Sequence, residues 1–136
     1  MNREILFRGK RVDRGGWITG SLVRIGELCF IFEHMDESMY LKLRNNKRIN
    51  TDQVLGKRFI AVATETICQF TGLTDKNGVK IFEWDKVKIV GTKATYIVEY
   101  KFASFWITRG GGRYSTILDD HDCRFEVIGN IHDTIK

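Results

Sequence analysis

Short runs of apolar residues that alternate with polar ones recur along this chain, which is the pattern of half-buried β-strands. The alternation is clearest in the predicted strand Lys86–Val90, where aliphatic side chains share one face and lysines the other. Leu28–Phe32 is apolar on both faces, so we expect a central strand covered on both sides. The remaining predicted strands are Glu4–Arg8, Gly16–Ile25, Arg58–Ala63, Ala94–Tyr100, Phe102–Thr108 and Arg124–Ile131.

Helical signals are few. Thr64–Gln69 and Thr116–His121 each predict one capped turn, and no segment carries a long amphipathic stripe. Asp75–Gly78 is the strongest turn signal, because its Asn-Gly pair takes positive φ at low cost. The pattern predicts a mainly β fold, and an α+β fold is the alternative.

Composition is that of a soluble, folded chain. Its 136 residues suffice for one sizeable core. A content of 43% hydrophobic and 29% charged residues is typical of globular proteins. There is no long uncharged run, so we expect no contact with a membrane. Ile5–Phe7 is too brief for a secretory signal and is followed by several cations, so we expect a cytoplasmic protein.

Positive charge is concentrated in the middle of the chain. The net charge is +5, and Lys42–Arg58, with six bases against the single acid Asp52, accounts for all of it. Asn45 and Asn46 favour a turn that would present the neighbouring cations together on a loop. Such a stretch suits a polyanion, and a solvated charge run that keeps the protein soluble is the alternative.

Arg109–Arg113 offers a second set of cations. Three glycines separate its two arginines, so backbone N–H groups and guanidiniums can approach a phosphate together. A plain hairpin loop is the alternative. The predicted nucleic-acid-binding residues are Lys42, Arg44, Lys47, Arg48, Lys57, Arg58, Arg109 and Arg113.

Neither a catalytic nor a metal site is predicted. Cys29, Cys68 and Cys123 are scattered and odd in number, so we interpret them as free, buried hydrophobes. Asp119–Asp122 is the densest group of possible metal ligands and is interpreted as a solvated acidic turn. No hydrolase, Walker or dinucleotide motif is present. We therefore expect no cofactor and no small-molecule substrate.

Fixed spacings connect the chain with a known family. Gln69–Gly72 leads into a turn that contains Asp75 and Gly78, and Glu83–Val87 follows. In this segment the sequence resembles the YopX-like proteins of bacterial phages and prophages. The family pattern has glycine where this chain has Trp84, and tryptophan would resist the special backbone angle that glycine suits. Glu83 and Asp85 are expected to accept backbone hydrogen bonds here.

The resemblance runs nearly end to end, because Phe7–Lys10 with Trp17 and Gly20, and also Phe125–Ile131, agree with the same family. It implies a single domain, 1–136, of two small lobes at approximately 1–81 and 82–136. The first lobe is rich in strands, and the second resembles a small SH3-like barrel. The resemblance implies a phage or prophage setting and no particular activity.

We therefore expect a non-catalytic accessory or regulatory binding module with DNA or RNA as its candidate partner. One alternative is a structural protein that assembles through exposed strand edges, and another is an enzyme of unrecognised type. We also expect a homo-oligomer, because 12% aromatic residues in a small two-lobed chain leave apolar surface to cover.

Overall fold

Strands dominate the structure, a computed structural model that describes residues 4–46, 55–109, 114–117 and 125–134. Of these residues 54% lie in strands and 13% in helices, so the predicted mainly β fold is confirmed. The chain divides into two compact units, Leu6–Ile67 (the first unit) and Cys68–Ile135 with Met1–Ile5 (the second unit). Within the described ranges, no helix has the length and apolar character needed to cross a membrane.

The first unit contains four antiparallel strands. They are β1 (Phe7–Lys10), β2 (Trp17–Ile25), β3 (Leu28–Glu33) and β4 (Phe59–Val62), in the order β4-β3-β2-β1. A tight turn with Gly26 at φ 60° joins β2 to β3. The predicted central position of β3 is confirmed, since it pairs with both β2 and β4.

One face of these strands carries the core of the first unit. Ile18, Cys29, Ile31 and Val62 pack together there, and none is more than 6% exposed. Burying one large aliphatic side chain stabilises the fold by about 1.5–3 kcal/mol. The opposite face is only partly covered, and Leu28 is exposed there. The expectation that β3 is covered on both sides is therefore wrong, because an antiparallel sheet can leave one face open.

A helix, α1 (Glu37–Asn45), follows β3, where the sequence analysis predicts none. The Asp36 carboxylate caps it by accepting the Met39 N–H at 2.7 Å. Glu37 in the first turn, and Lys42 with Arg44 in the last, complement the helix dipole. The helix escapes prediction because its 9 residues include no buried one, so no apolar stripe marks it.

The second unit begins with a hairpin. A short 3₁₀ helix, Thr64–Thr66, lies within the predicted capped turn Thr64–Gln69, but no side chain caps it, and Cys68 and Gln69 belong to a strand. That strand, β5 (Cys68–Thr74), pairs with β6 (Lys80–Phe82) across the predicted turn. Asp75 in that turn accepts N–H groups from Asn77, Val79 and Val127. Burial raises the pKa of Asp75, but these bonds lower it by more, so the pKa lies below its ordinary value. The ionised carboxylate therefore ties the turn to the C-terminal part of the unit.

A five-stranded antiparallel sheet completes the second unit. Its strands are β7 (Asp85–Ile89), β8 (Thr95–Lys101), β9 (Ser104–Arg109), β10 (Tyr114–Ile117) and β11 (Phe125–Asn130), in the order β10-β9-β8-β7-β11. The predicted alternation in β7 is confirmed, since Val87 is fully buried and Lys86 is exposed. The SH3-like form of this part stays a prediction. The buried core is formed by Ile81, Val87, Tyr96, Val98, Ile107 and Phe125.

Each predicted strand has a counterpart in the structure, but β5, β6 and β10 were not predicted. β6 has only 3 residues, too few to show alternation. Phe102 and Ala103, expected in a strand, form the turn between β8 and β9 at positive φ. The predicted helical turn at 116–121 is wrong at its start, because Thr116 and Ile117 belong to β10, and the rest of it lies outside the described residues.

Trp84 adopts the backbone angle that the sequence analysis expects it to resist, with φ 67°. Its N–H donates to the Val98 carbonyl at 2.6 Å, and its carbonyl accepts the Ile131 N–H at 3.0 Å. These two bonds hold the bend between β6 and β7 in a left-handed conformation. A non-glycine residue there costs about 1–2 kcal/mol, which the surrounding contacts offset.

Replacing Trp84 with glycine or with valine separates the backbone cost from the loss of the indole. Both variants lose the indole. Glycine takes positive φ at little cost, whereas the β-branched valine is strained by it. We expect Trp84→Gly to exceed Trp84→Val in free energy of unfolding by about 1–2 kcal/mol, measured by urea denaturation. Equal or reversed stabilities would show that the bend is relaxed.

Gly20 is required by a close approach within the sheet. It lies opposite Glu33, and a Cβ added to it would overlap the Phe32 carbonyl oxygen. We expect Gly20→Ala to lower the free energy of unfolding by about 1–3 kcal/mol or more. Gly56→Ala is the matched control, because a Cβ there meets nothing within 4 Å. Similar urea midpoints for the two variants would contradict this account.

Candidate nucleic-acid interface

The predicted basic stretch does not form one continuous loop. Lys42 and Arg44 lie in the last turn of α1, which runs to Asn45, so the predicted presentation of Arg44 on a loop is wrong. The cap at Asp36 and the helical contacts that follow it outweigh the turn signal of the two asparagines. Residues two apart in a helix point about 200° apart, so the two cations face different directions.

Lys42 and Arg44 are both exposed, and neither makes an ion pair with any residue that the structure describes. Lys42 borders a shallow open groove along α1, formed by Glu37, Ser38, Leu41, Lys42, Asn45 and Asn46. The predicted site residues Lys47 and Arg48 lie outside the described residues.

Arg58 is engaged within the first unit. Its guanidinium donates to the carbonyls of Glu33 and His34 at 3.3 and 3.4 Å, and lies 3.9 Å from the Glu33 carboxylate. These contacts, all made by Nη1, fasten the end of β3 beside the start of β4 and give Arg58 a structural role. Lys57, the neighbouring residue, is exposed and forms no ion pair within the described ranges.

Arg109 lies in the second unit, at the end of β9, where it is exposed and stands opposite Tyr114 of β10. Strands β9 and β10 are therefore joined across 110–113, as a hairpin requires. The predicted site residue Arg113 lies outside the described residues. Arg109 thus belongs to a different unit from Lys42, Arg44, Lys57 and Arg58.

A group of residues that the sequence analysis does not select lies on the face of β1–β4 opposite the core, which we call the aromatic face. Residues paired across strands share a face, and Trp17 is paired with Lys10, and Thr19 with Arg8. Farther along, Ser21 is paired with Phe32, and Phe32 with Phe59. Phe30, paired with Val23, lies on the same face, so the aromatic face combines two cations with four aromatic rings.

Two cations contact one indole on this face. The Arg8 guanidinium carbon lies 4.4 Å, and the Lys10 ammonium 4.8 Å, from the centroid of the Trp17 ring. Both distances are within the range of cation–π attraction. The i, i+2 spacing of Arg8 and Lys10 on a strand could have revealed their shared face, but the register that places Trp17 beside them could not be derived from the sequence.

The neighbouring arginine is neutralised. Arg11 and Asp13 form a bidentate ion pair, with N–O distances of 3.0 and 2.8 Å. This bond, more than any other influence, lowers the pKa of Asp13 to about 2. The charge of Arg11 is therefore compensated by Asp13.

The buried polar groups of the second unit form a structural cluster. Asp85 accepts the Phe82 N–H at 2.8 Å and the Asn130 side-chain N–H at 2.9 Å, and Asn130 also reaches the Cys68 sulfur at 3.8 Å. Glu83 accepts the Gln69 N–H at 3.5 Å, and burial raises its pKa. The expectation that Glu83 and Asp85 accept backbone hydrogen bonds is confirmed.

The described cysteines agree with their interpretation as buried hydrophobes. Cys29 and Cys68 are buried thiols outside any disulfide, as predicted, and Cys123 lies outside the described residues. The described part of the chain contains no group of three or more His, Cys, Asp or Glu side chains placed to hold a metal ion. The acidic group Asp119–Asp122 also lies outside the described residues.

Comparison with known proteins identifies the family. No curated protein matches the sequence. A family model described as YopX protein matches residues 8–135, nearly the whole chain. The match includes the aromatic face of the first unit, the bend at Trp84 and all five strands of the second unit's sheet. The chain belongs to the YopX protein family.

Proposed function

We propose that this protein is a non-catalytic binding module that contacts DNA or RNA through its first unit, in the phage or prophage setting that the sequence resemblance implies. The observation that carries the proposal is the exposure of Lys42, Arg44 and Lys57 without an ion-pair partner among the described residues. We call these three the exposed basic group. Exposed cations without acidic partners are available to the phosphates of a polyanion.

The chemistry of such contacts determines the kind of binding. Lysine and arginine bind phosphates by charge, and phosphate contacts carry no information about base sequence. Binding through the exposed basic group should therefore be weak, general and strongly reduced by salt. An accessory or regulatory role fits this chemistry, because such a module needs a partner or a high local concentration to act at one place on a genome.

Replacing the exposed basic group with alanine should weaken binding to a short DNA duplex at low salt. Each phosphate contact contributes about 0.9 to the slope of log affinity against log salt concentration. We therefore expect the triple variant to reduce the magnitude of that slope by about 2 to 3, measured by fluorescence anisotropy. All three side chains are exposed, and alanine's helix propensity offsets the lost dipole interaction of Lys42 and Arg44, so the urea midpoint should stay close to that of the wild type.

A charge-matched control removes three exposed cations at other places, Arg14, Lys86 and Lys93. This control variant has the same net charge as the test variant, and it should keep the wild-type salt slope. Equal losses in both variants would mean that only net charge matters. An absence of duplex binding by the wild type, even at low ionic strength, would overturn the proposal.

Self-assembly is a second candidate, favoured by the hairpin β8–β9. Phe102 at its tip is 85% exposed, and Tyr100 is 53% exposed. Phe102 and Ala103 both take positive φ, which costs about 1–2 kcal/mol per residue. The Trp106 indole donates to the Lys101 carbonyl at 2.9 Å and contacts the Phe102 ring edge-on. A strained turn that presents an aromatic ring to solvent suits an anchor in a homo-oligomer.

Replacement of Phe102 with serine tests the assembly. Light scattering should give a mass above the 15.8 kDa monomer for the wild type and a mass near the monomer for Phe102→Ser. Val12→Ser is the matched control, because Val12 is also exposed, at 62%, but lies in the first unit. A wild-type mass of one monomer over a wide concentration range would end the assembly proposal.

A further inference from the structure

We propose that helix α1 lies in the major groove of a DNA duplex, with Leu41 and Asn45 turned toward the base edges. Lys42 and Arg44 then contact the phosphates on the two sides of the groove. The inference rests on the proposed function, and it gives that function a binding element, a groove and one form of nucleic acid. Neither Leu41 nor Asn45 is among the residues predicted to bind nucleic acid.

The exposure of α1 is the first reason. None of its 9 residues is buried, and only Met39 and Leu43 are half-buried. These two residues lie one turn apart on the same side of the helix, so this side is the one that faces the protein. The rest of the helix surface is exposed. With one side attached and the other exposed, α1 can enter a groove without losing any packing.

Leu41 and Asn45 lie on the exposed side of α1. Successive residues of a helix are about 100° apart, so Leu41 points in the direction opposite to Met39 and Leu43. Asn45 follows Leu41 by one turn on the same side. Leu41 is 41% exposed, and Asn45 is exposed as well. The outermost side of the helix therefore presents one aliphatic side chain and one amide.

The two cations of α1 flank this side. Lys42 lies about 100° from Leu41 in one sense around the axis, and Arg44 about 60° in the other. Neither forms an ion pair with a residue that the structure describes. Cations that point in different directions cannot share one phosphate, but the major groove has a phosphate strand on each side. The groove is about 12 Å wide and admits a helix.

The distribution of charge along α1 determines which end lies deeper in the groove. Both cations are in the last turn, whereas Asp36 and Glu37 stand at the start. Glu37 is about 12 Å along the axis from Asn45. Because phosphates repel carboxylates, the C-terminal half of the helix lies between the two strands and the N-terminal end stays at the rim of the groove.

These contacts select B-form DNA. An asparagine amide pairs with N6 and N7 of adenine, and an aliphatic side chain contacts the methyl group of thymine, and all of these groups lie in the major groove. The major groove of an RNA duplex is too deep and narrow to be read in this way. A preference for A·T base pairs is therefore added to phosphate contacts that carry no sequence information.

Fluorescence anisotropy with a short mixed-sequence duplex tests the groove. Glucosylated 5-hydroxymethylcytosine, used in place of cytosine, fills the major groove and leaves the phosphates unchanged. We expect this substitution to lower the wild-type affinity about tenfold, the size of one lost base contact. Netropsin, which occupies the minor groove, should change the affinity less than about twofold. An RNA duplex should bind as weakly as the glucosylated DNA.

A thymine-to-uracil exchange tests Leu41, because uracil lacks only the methyl group. The wild type should bind an alternating A·T duplex about threefold more tightly than its uracil counterpart, and Leu41→Ala should remove that difference. Tyr40→Ala is the matched control and should keep it, since Tyr40 is an exposed residue of α1 at 53% but points about 100° away from Leu41. Alanine favours helix, so all three proteins should have similar urea midpoints.

Asn45→Ala tests the amide. It should lower the affinity for the alternating A·T duplex about fivefold and change the affinity for an alternating G·C duplex less than about twofold. Equal losses on both duplexes would contradict the adenine contact.

The outcomes distinguish this inference from the proposed function. Duplex binding that the glucose groups do not weaken, or a thymine preference that is absent or survives in Leu41→Ala, overturns the inference and leaves the proposed function standing. Displacement by netropsin would place the protein in the minor groove and also overturn the inference. Binding to no duplex overturns both proposals.

Discussion

The fully buried carboxylate of Asp85 is the interaction on which the second unit depends. A carboxylate without solvent contact is stable only when hydrogen bonds replace its hydration, and here the Phe82 N–H and the Asn130 side chain do so. Asn130 also donates to the Glu83 carbonyl at 3.3 Å. One carboxylate thus holds the bend between β6 and β7 against the last strand. Removing either partner would leave a buried polar group unsatisfied, which typically costs about 1–3 kcal/mol or more.

The left-handed bend at Trp84 follows from this constraint. The chain must reverse within two residues so that the Phe82 N–H and the Asp85 carboxylate can meet, while the Trp84 backbone bonds to Val98 and Ile131. Positive φ at Trp84 is the result. A family preference for glycine at this position, as the resemblance implies, has the same cause. Tryptophan is accepted here because the hydrogen bonds around the bend are stronger than the local preference of the side chain.

The sequence was sufficient for features that arise from local patterns. Alternation identified β7, and the Asn-Gly turn located the hairpin β5–β6, although the strands themselves were too short or too polar to recognise. Helix α1 did leave a local signal, the cap at Asp36 followed by Glu37, but a helix without a buried residue has no apolar stripe to support it. These elements depend on capping and turn chemistry more than on hydrophobic period.

The candidate site was less predictable because it depends on register. The sequence around Lys10 and Trp17 does not indicate that they are paired, because their pairing is set by the register of β1 and β2. A shift of one residue in that register would move Trp17 to the core face. Gly20 restricts only the register between β2 and β3, because its close approach is to the Phe32 carbonyl of β3. Charge density was a poor guide for a related reason. It gave Arg58 and Lys57 equal weight, although Arg58 is bound to backbone carbonyls and Lys57 is free among the described residues.

The separation of the cations into engaged and available groups is therefore the main functional information that the fold adds to the sequence. Arg11 is paired with Asp13, Arg58 with the end of β3, and Lys80 with Glu4 at 2.9 Å, so their charges serve the structure. Lys10 differs from all of these, because it is buried beside an aromatic ring and lacks an acidic partner in the described residues. The Trp17 ring, 4.8 Å from the ammonium, supplies the attraction that an acidic partner supplies for the other three cations.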